Sequence, residues 1–155
     1  VTELEGLVPG LASVDVAINW SGENWDGDYY DDGIRIYMYF KDFAGNWVWF
    51  NTDTDIAVHA DFRMYLASGV NVNIGENQRP YYRRVEVLRS ASEKRSWTIA
   101  YEDFIPQLRS QYSSQVRPSG EYDWLDSVLQ LIVTQSDGSK FEARTWQPVL
   151  LPKAW

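Results

Sequence analysis

The stretch IRIYMYFKDFAGNWVWF at positions 34–50 decides the fold. Its first eight residues alternate between apolar side chains and side chains that carry a charge or a hydroxyl, which is the period of a strand with one buried face. Residues 42–46 follow as a turn in which Gly45 can adopt a positive φ. The aromatic residues after the turn predict a return strand over 47–50, so the whole stretch predicts a β-hairpin.

The same two-residue period recurs along the rest of the chain. It predicts strands at 14–20, 56–65, 84–89 and 96–101, a short strand at 70–74, and a final hairpin with strands at 128–135 and 140–146. Asp137 and Gly138 between the last two strands are a strong hairpin signal. Pro148 and Pro152 place the last strand at a sheet edge, because proline cannot donate to a ladder. Helix is expected only near 105–113, and it should be short.

About eight mostly antiparallel strands with regularly spaced turns predict an all-β fold, a single β-sandwich that covers residues 1–155. The pattern resembles immunoglobulin-like and fibronectin type III sandwiches. The resemblance concerns the fold alone, because the chain lacks the cysteine pair of antibody domains, and a fold does not carry function. The inward positions of the strands predict a core. It comprises Ile18, Met38, Phe40, Val48, Phe50, Val58 and Phe62.

Composition narrows the classes of function. The formal net charge of −8 repels phosphate backbones, so nucleic acid is not an expected partner. The absence of cysteine excludes disulfides and thiolate zinc sites. No apolar run reaches the roughly 18 residues of a membrane helix, so no transmembrane segment is expected. The acidic balance together with many Tyr, Trp, Asn and Ser residues favours an extracytoplasmic location (secreted, periplasmic or surface-anchored), either alone or as a module of a larger protein.

An acidic loop is the densest local cluster of charge. It places five carboxylates within ten residues, with glycines that let the backbone curl. These are Glu23, Asp26, Asp28, Asp31 and Asp32. Calcium takes six to eight oxygen ligands, so the loop is a candidate calcium site. The spacing is not that of an EF-hand. The alternative is a solvated loop between two strands, in which case the chain has no cofactor.

The alternation also predicts an outward aromatic face. Successive side chains of a strand point to opposite sides, so the first strand of the 34–50 hairpin turns its tyrosines away from the core. Pairing across the turn brings the tryptophans of the return strand to the same face. The predicted surface comprises Tyr37, Tyr39, Trp47, Trp49, His59 and Tyr65. Such a surface suits a protein interface or sugar stacking. The alternative is that the loop at 105–125 covers it, or that it belongs to a second buried face.

A basic segment is the third cluster. It supplies six of the 14 basic residues within 17 positions. Its members are Arg79, Arg83, Arg84, Arg89, Lys94 and Arg95. Three explanations remain open: protection of an edge strand against unwanted pairing, binding of single-stranded nucleic acid, which the net charge opposes, and attraction to the acidic loop of a neighbouring copy.

The sequence lacks the motifs of common enzymes. It has no nucleophile elbow, phosphate-binding loop, HExxH zinc motif or dinucleotide fingerprint. His59 is its only histidine. We therefore expect a non-catalytic extracytoplasmic module that acts in protein–protein contact or assembly, with another protein or its own copies. A carbohydrate-binding module with a calcium-stabilised loop is the alternative, and a small glycoside hydrolase built on two carboxylates is the third.

Overall fold

The computed structural model describes residues 11–18, 33–48, 58–88, 96–106, 117–119, 122–135 and 138–152. Within these ranges the chain forms eight strands and one 3-10 helix. The strands are β1 (Ser13–Ile18), β2 (Gly33–Lys41), β3 (Val58–Leu66), β4 (Tyr82–Leu88), β5 (Ser96–Ala100), β6 (Arg117–Ser119), β7 (Tyr122–Thr134) and β8 (Lys140–Pro152), and the 3-10 helix is Tyr101–Asp103. The predicted all-β fold is confirmed.

The strands form two antiparallel sheets that pack face to face as a β-sandwich. The smaller sheet has the order β1-β2-β5. The larger sheet has five strands: β4-β3-β7-β6 lie in this order, and β8 also pairs with β7. β8 pairs along the whole of β7. β3 and β6 therefore share the other side of β7, β3 along residues 127–134 and β6 along 122–124. β8 pairs with β7 alone among the described strands, which agrees with the edge position predicted from its prolines.

The core lies between the two sheets, on the faces that the alternation predicts. Ile18, Met38, Phe40, Val58 and Phe62 are buried as expected. Val48 is partly buried and packs against this core. Phe50 lies outside the described residues.

At one side of the sandwich, an arginine links the two sheets. Arg84 extends from β4 in the larger sheet to β5 in the smaller one. Its guanidinium lies over the Trp97 ring, 5.2 Å from the centroid, and its Nη1 donates to the carbonyl of Thr98 at 3.3 Å. Glu86 accepts from the same guanidinium at 2.6 Å. The charge is thus both neutralised and used to join the two sheets.

At the opposite side, the side-chain amide of a glutamine links the two sheets. Gln147 of β8 receives a hydrogen bond from the backbone N–H of Ile18 at 3.2 Å, and its Nε2 donates to the Ile18 carbonyl. The side chain thus satisfies both backbone groups at the end of β1, as a paired strand would. β1 accordingly lies beside β8.

Buried tyrosines fill one end of the core. The hydroxyl of Tyr81 lies 2.6 Å from Ser127 Oγ, and the Tyr101 hydroxyl donates to the carbonyl of Leu150 at 2.7 Å. Burial raises the pKa of Tyr81 above its usual value, against the opposing effect of the Ser127 hydrogen bond. Tyr81 therefore stays a neutral hydroxyl that satisfies its partner inside the core.

The prediction of a strand at 70–74 is wrong, because the chain forms a loop between β3 and β4 there. Local side-chain hydrogen bonds compete with a ladder: Asn71 Oδ1 accepts from the Asn73 N–H at 3.0 Å, and Gln78 Oε1 accepts from the Gly75 N–H at 3.0 Å. Arg144 of β8 donates to the Val72 carbonyl at 3.4 Å. The loop therefore reaches the outer face of the larger sheet.

The predicted bounds differ elsewhere as well. The final hairpin is longer than expected, since β7 starts at Tyr122 and β8 extends to Pro152. Its turn is closed by the hydrogen bond from the Gln135 N–H to the Ser139 carbonyl, and Gly138 has a φ of 89°. The 3-10 turn Tyr101–Asp103 precedes the predicted helix, and Ile105 and Pro106 at its start are helical. Most of the 105–113 range predicted for a helix lies outside the described residues.

Candidate binding surfaces

Three aromatic residues lie on the outer face of the smaller sheet, and we call them the aromatic patch: Tyr37, Tyr39 and Trp47. The tyrosines alternate along β2 with buried residues, as predicted. Trp47 is brought beside them by its bridge to Lys41 and by the hydrogen bond from the Val48 N–H to the Phe40 carbonyl at 2.7 Å.

The aromatic patch is partly open to solvent. The rings of Tyr39 and Trp47 lie with centroids 5.6 Å apart and planes tilted by 37°. Trp47 is 50 % exposed, and the two tyrosines are half-buried. Rings at such a distance support one another. The tilt means that they present an angled surface rather than a flat shelf.

The turn at the end of β2 presents a further aromatic residue. Asp42 accepts hydrogen bonds from the N–H groups of Ala44 at 2.9 Å and Asn46 at 3.0 Å, and Gly45 has a φ of 82°. This turn holds Phe43, which is 95 % exposed. An exposed phenylalanine on a hydrogen-bonded turn is pre-organised for contact with another surface.

An ion pair and an alanine lie beside the aromatic patch. Asp15 of β1 stands opposite Tyr39, and Ala17 stands opposite Tyr37. Lys41 forms an ion pair with Asp15 at 2.9 Å. Apolar rings next to a solvated ion pair have the composition of a protein interface, where a polar rim surrounds an apolar centre.

The structure does not bring the six predicted surface residues together. His59 and Tyr65 lie on β3, which belongs to the larger sheet, so their outward face is on the opposite side of the sandwich from the aromatic patch. His59 is exposed, whereas Tyr65 is only 4 % exposed and is not available for contact. Trp49 lies outside the described residues. The alternation fixes which way a side chain faces, but it does not tell which sheet the strand joins.

The outer face of the larger sheet carries a carboxylate held by two arginines. Asp61 of β3 accepts two hydrogen bonds from Arg63 (3.2 and 2.8 Å) and two from Arg83 (3.1 and 2.9 Å). Arg63 also donates to the Tyr65 hydroxyl at 3.4 Å. Bidentate pairs of this kind are strong and directional. They hold β4 to β3 through side chains as well as through the backbone.

The protonation of this cluster follows from its contacts. Burial works to raise the pKa of Asp61, but the hydrogen bonds and charges of Arg63 and Arg83 outweigh it and lower that pKa. The hydrogen bonds to Asp61 and Tyr65 raise the pKa of Arg63. Asp61 therefore remains ionised at neutral pH, and its charge is already used within the fold.

A second ion pair lies on the same face. Arg144 donates to Glu142 at 2.7 Å, and Gln130 Nε2 donates to the other carboxylate oxygen at 3.1 Å. Arg144 also binds the loop through the Val72 carbonyl. These carboxylates act in the fold by orienting arginines and a glutamine.

Three members of the basic segment lie within the described residues. Arg83 and Arg84 are paired with Asp61 and Glu86, and Arg79 is exposed. The remaining members lie outside the described residues. β4, which carries two of them, is an edge strand of the larger sheet within the part of the chain that the structure describes. An edge is where protective charges are expected, but both arginines of β4 are already paired within the chain.

The predicted calcium ligands lie outside the described residues, so the acidic loop stays a prediction. Among the residues that the structure describes, no group of three or more His, Cys, Asp or Glu side chains is placed to hold a metal ion. In those same ranges, no helix has both the length and the apolar character that crossing a membrane requires.

Comparison with models of protein families, with curated proteins and with solved structures found no match.

Sequence reasoning missed the exposure of five apolar residues, of which Val70 and Val72 lie in the loop where a strand was predicted. The exposure of Phe43 could have been predicted, because the residue lies between Asp42 and Gly45 and is therefore in the turn. Val85 and Val87 of β4, which are 52 % and 47 % exposed, resemble core residues in sequence. They face outward at the sheet edge, and only the pairing of β4 with β3 reveals this.

Proposed function

We propose that this chain is a non-catalytic, extracytoplasmic β-sandwich module that contacts another protein through the aromatic patch. The single observation that carries the proposal is Trp47, a half-exposed ring that contacts Tyr39 at a tilt, next to a turn that presents Phe43 to solvent. Large exposed aromatics are costly to leave in water and supply much of the energy at interfaces.

The sheet order supports an immunoglobulin-like module. In that fold, strands A, B and E lie in one sheet, and strands C and C′ lie with F and G in the other. The order β1-β2-β5 corresponds to A-B-E, and the pairings of β4, β3, β7 and β8 correspond to C′-C-F-G. β6, which lies between E and F in the chain, has no counterpart among those strands. The correspondence concerns the fold alone, so the contact role rests on the aromatic patch.

The experiment compares alanine variants at the patch with a matched control. The module is used to capture binding proteins from the extracytoplasmic fraction of its source, and the captured protein is purified and titrated. Trp47→Ala is expected to lose about 2 kcal/mol of binding, roughly a thirtyfold weaker affinity, with folding stability within about 1 kcal/mol of the parent.

The control is His59→Ala, which changes an exposed residue on the opposite face of the sandwich. It should leave the affinity unchanged. Undiminished binding by Trp47→Ala would contradict the proposal, as would loss of binding that merely follows unfolding.

A carbohydrate is the rival ligand, and the same variants test it. The tilt of 37° between Tyr39 and Trp47 favours protein over sugar, because sugar rings stack on flat arrays of aromatics. Binding of a soluble polysaccharide that Trp47→Ala abolishes would establish the carbohydrate-binding role instead.

Calcium binding by the acidic loop is proposed as an accessory property. Thermal melts in millimolar calcium and in chelator measure it, because a ligand of the native state must raise the midpoint. An unchanged midpoint would leave the loop as a solvated connection.

A further inference from the structure

β4 is an edge strand that is suited to pairing with another strand. It pairs with β3 on one side, and within the described residues no strand pairs with its other side. An edge strand presents unpaired backbone groups, which are a template for a further strand. Val85 and Val87 add exposed apolar surface beside this edge.

The charges of β4 do not block such pairing. Charged side chains are one means by which edge strands are protected against unwanted pairing. Here Arg83 is bound to Asp61, and Arg84 is bound to Glu86 on the same strand. Arg83 shares Asp61 with Arg63, so both arginines of β4 already have carboxylate partners within the chain. These partners reduce the repulsion that a second copy would meet.

The order of residues in β4 is complementary to itself. We propose that β4 pairs antiparallel with β4 of a second copy, centred on Val85. In this register Arg84 of each copy stands opposite Glu86 of the other, and Val85 stands opposite Val85. Opposite charges directly across a strand pair are stabilising, and like charges there are destabilising. The dimer interface is therefore isologous, as in most homodimers.

Neighbouring registers lack this match. Centring the pair on Arg84 or on Glu86 places two like charges directly opposite each other. Moving the centre to either end of β4 shortens the ladder. The register centred on Val85 alone combines the full seven residues of the strand with opposed charges.

β8 carries a similar pattern, in which Glu142 and Arg144 flank Ala143. Its surroundings make it the poorer edge. β1 lies beside it through the bonds from Gln147 to Ile18, and Arg144 is engaged by the Val72 carbonyl. β8 is therefore the edge that the experiment must distinguish from β4.

Pairing through β4 joins two five-stranded larger sheets into one continuous sheet of ten strands. The two-fold axis runs perpendicular to this sheet, so both smaller sheets lie on the same side of it. Two aromatic patches then face the same direction. Two linked sites of this kind bind a repetitive surface much more tightly than one site does. The β4 edge is a different surface from the aromatic patch, so dimerisation can be absent while the patch still binds its partner, and the reverse.

The experiment is a charge exchange followed by sedimentation velocity over a concentration series. The parent chain should form dimers. Glu86→Arg and Arg84→Glu should each raise the dissociation constant at least about tenfold, about 1.4 kcal/mol, because each makes both symmetric pairs repulsive. A mixture of the two variants should form heterodimers again, since the basic strand of one then meets the acidic strand of the other. Native mass spectrometry identifies that heterodimer by its mass.

Two further variants keep the proposal falsifiable. Val85→Asp places two carboxylates at the two-fold axis without disturbing the core, so it serves if Arg84→Glu fails to fold for want of its Trp97 contact. Glu142→Arg is the matched control, because it removes an equivalent pair on β8. A parent chain that stays monomeric throughout the series would overturn the inference. So would dissociation by Glu142→Arg rather than Glu86→Arg, or a mixture that does not form heterodimers.

Discussion

Two phenylalanines of this chain have opposite surroundings. Phe62 is fully buried between the sheets, where it contacts the rings of Tyr82 and Trp97 with centroids 6.3 and 5.9 Å away. Phe43 projects from a turn into solvent. We expect Phe62→Ala to lower the free energy of unfolding by about 3–5 kcal/mol, because it leaves a cavity. Urea denaturation measures it.

The same substitution at Phe43 is the matched control. It should change the free energy of unfolding by no more than about 0.5 kcal/mol. A loss below about 1 kcal/mol at Phe62 would show that β3 turns its other face to the core.

Asp61 predicts a dependence of stability on pH. Its pKa is lowered in the folded state, so the native protein binds fewer protons there than the unfolded chain does. The stability that it contributes is present above the unfolded value of about 4 and is lost as pH falls through the lower folded pKa. We expect Asp61→Asn to cost about 1–2 kcal/mol at neutral pH. The difference from the parent should shrink as the solution becomes acidic.

Asp15→Asn is the control for that series. Its ion pair with Lys41 is open to solvent, with half of the Asp15 side chain exposed. Pairs of this kind are worth at most about 1 kcal/mol. A cost at Asp61 that stays the same at every pH between neutral and strongly acidic would show that the two arginines do not hold its charge.

At the scale of the elements, Gln147 links β8 to the end of β1. Gln147→Met keeps the length of the side chain and removes both hydrogen bonds to the Ile18 backbone. We expect it to cost about 1–3 kcal/mol, since a donor and an acceptor in a partly buried place lose their partners. The exchange of the Ile18 amide hydrogen should become faster.

Hydrogen exchange of the backbone amides in the middle of β7 is the internal control, because β7 lies between two strands. If β1 and β7 lose protection equally, the substitution has weakened the whole fold. The amide of Gln147 would then have no particular role in closing the sandwich.

The elements that the sequence predicts best are those with one buried and one solvated face. β2 and β3 lie within two residues of their predicted ends, because their alternation reports a half-buried strand directly. The strand predicted at 70–74 failed although Val70, Val72 and Ile74 alternate. Side chains of Asn71 and Gln78 satisfy the backbone there, and alternation alone does not register that competition.

The predicted site residues also differ in whether a local signal places them. Tyr37, Tyr39 and Trp47 depend on the register of one local hairpin, which its turn fixes, and they share a face as predicted. His59 and Tyr65 depend on which sheet β3 joins. That choice is made by pairing with β7, more than 60 residues further along the chain, for which a single sequence holds no local signal.

At the scale of the whole molecule, the two sheets depend on each other. The apolar face of the smaller sheet, with Ile36, Met38 and Phe40, is buried only because the larger sheet covers it. Gln147 and Arg84 bind the sheets together at opposite sides. A three-stranded sheet without its partner would expose that face to water, at a cost of about 25 cal/mol for each Å².

This dependence predicts that the chain unfolds as one cooperative unit. Tryptophan fluorescence and far-UV circular dichroism should give coincident urea transitions, measured at a protein concentration low enough to keep the chain monomeric. The two signals report different things, since tryptophan packing is local and circular dichroism sums both sheets. Gln147→Met should move both transitions together to lower urea, because the weakened contact belongs to the shared interface. Transitions that separate, in the parent or in this variant, would mean that the sheets fold as two units and that residues 1–155 are not a single domain.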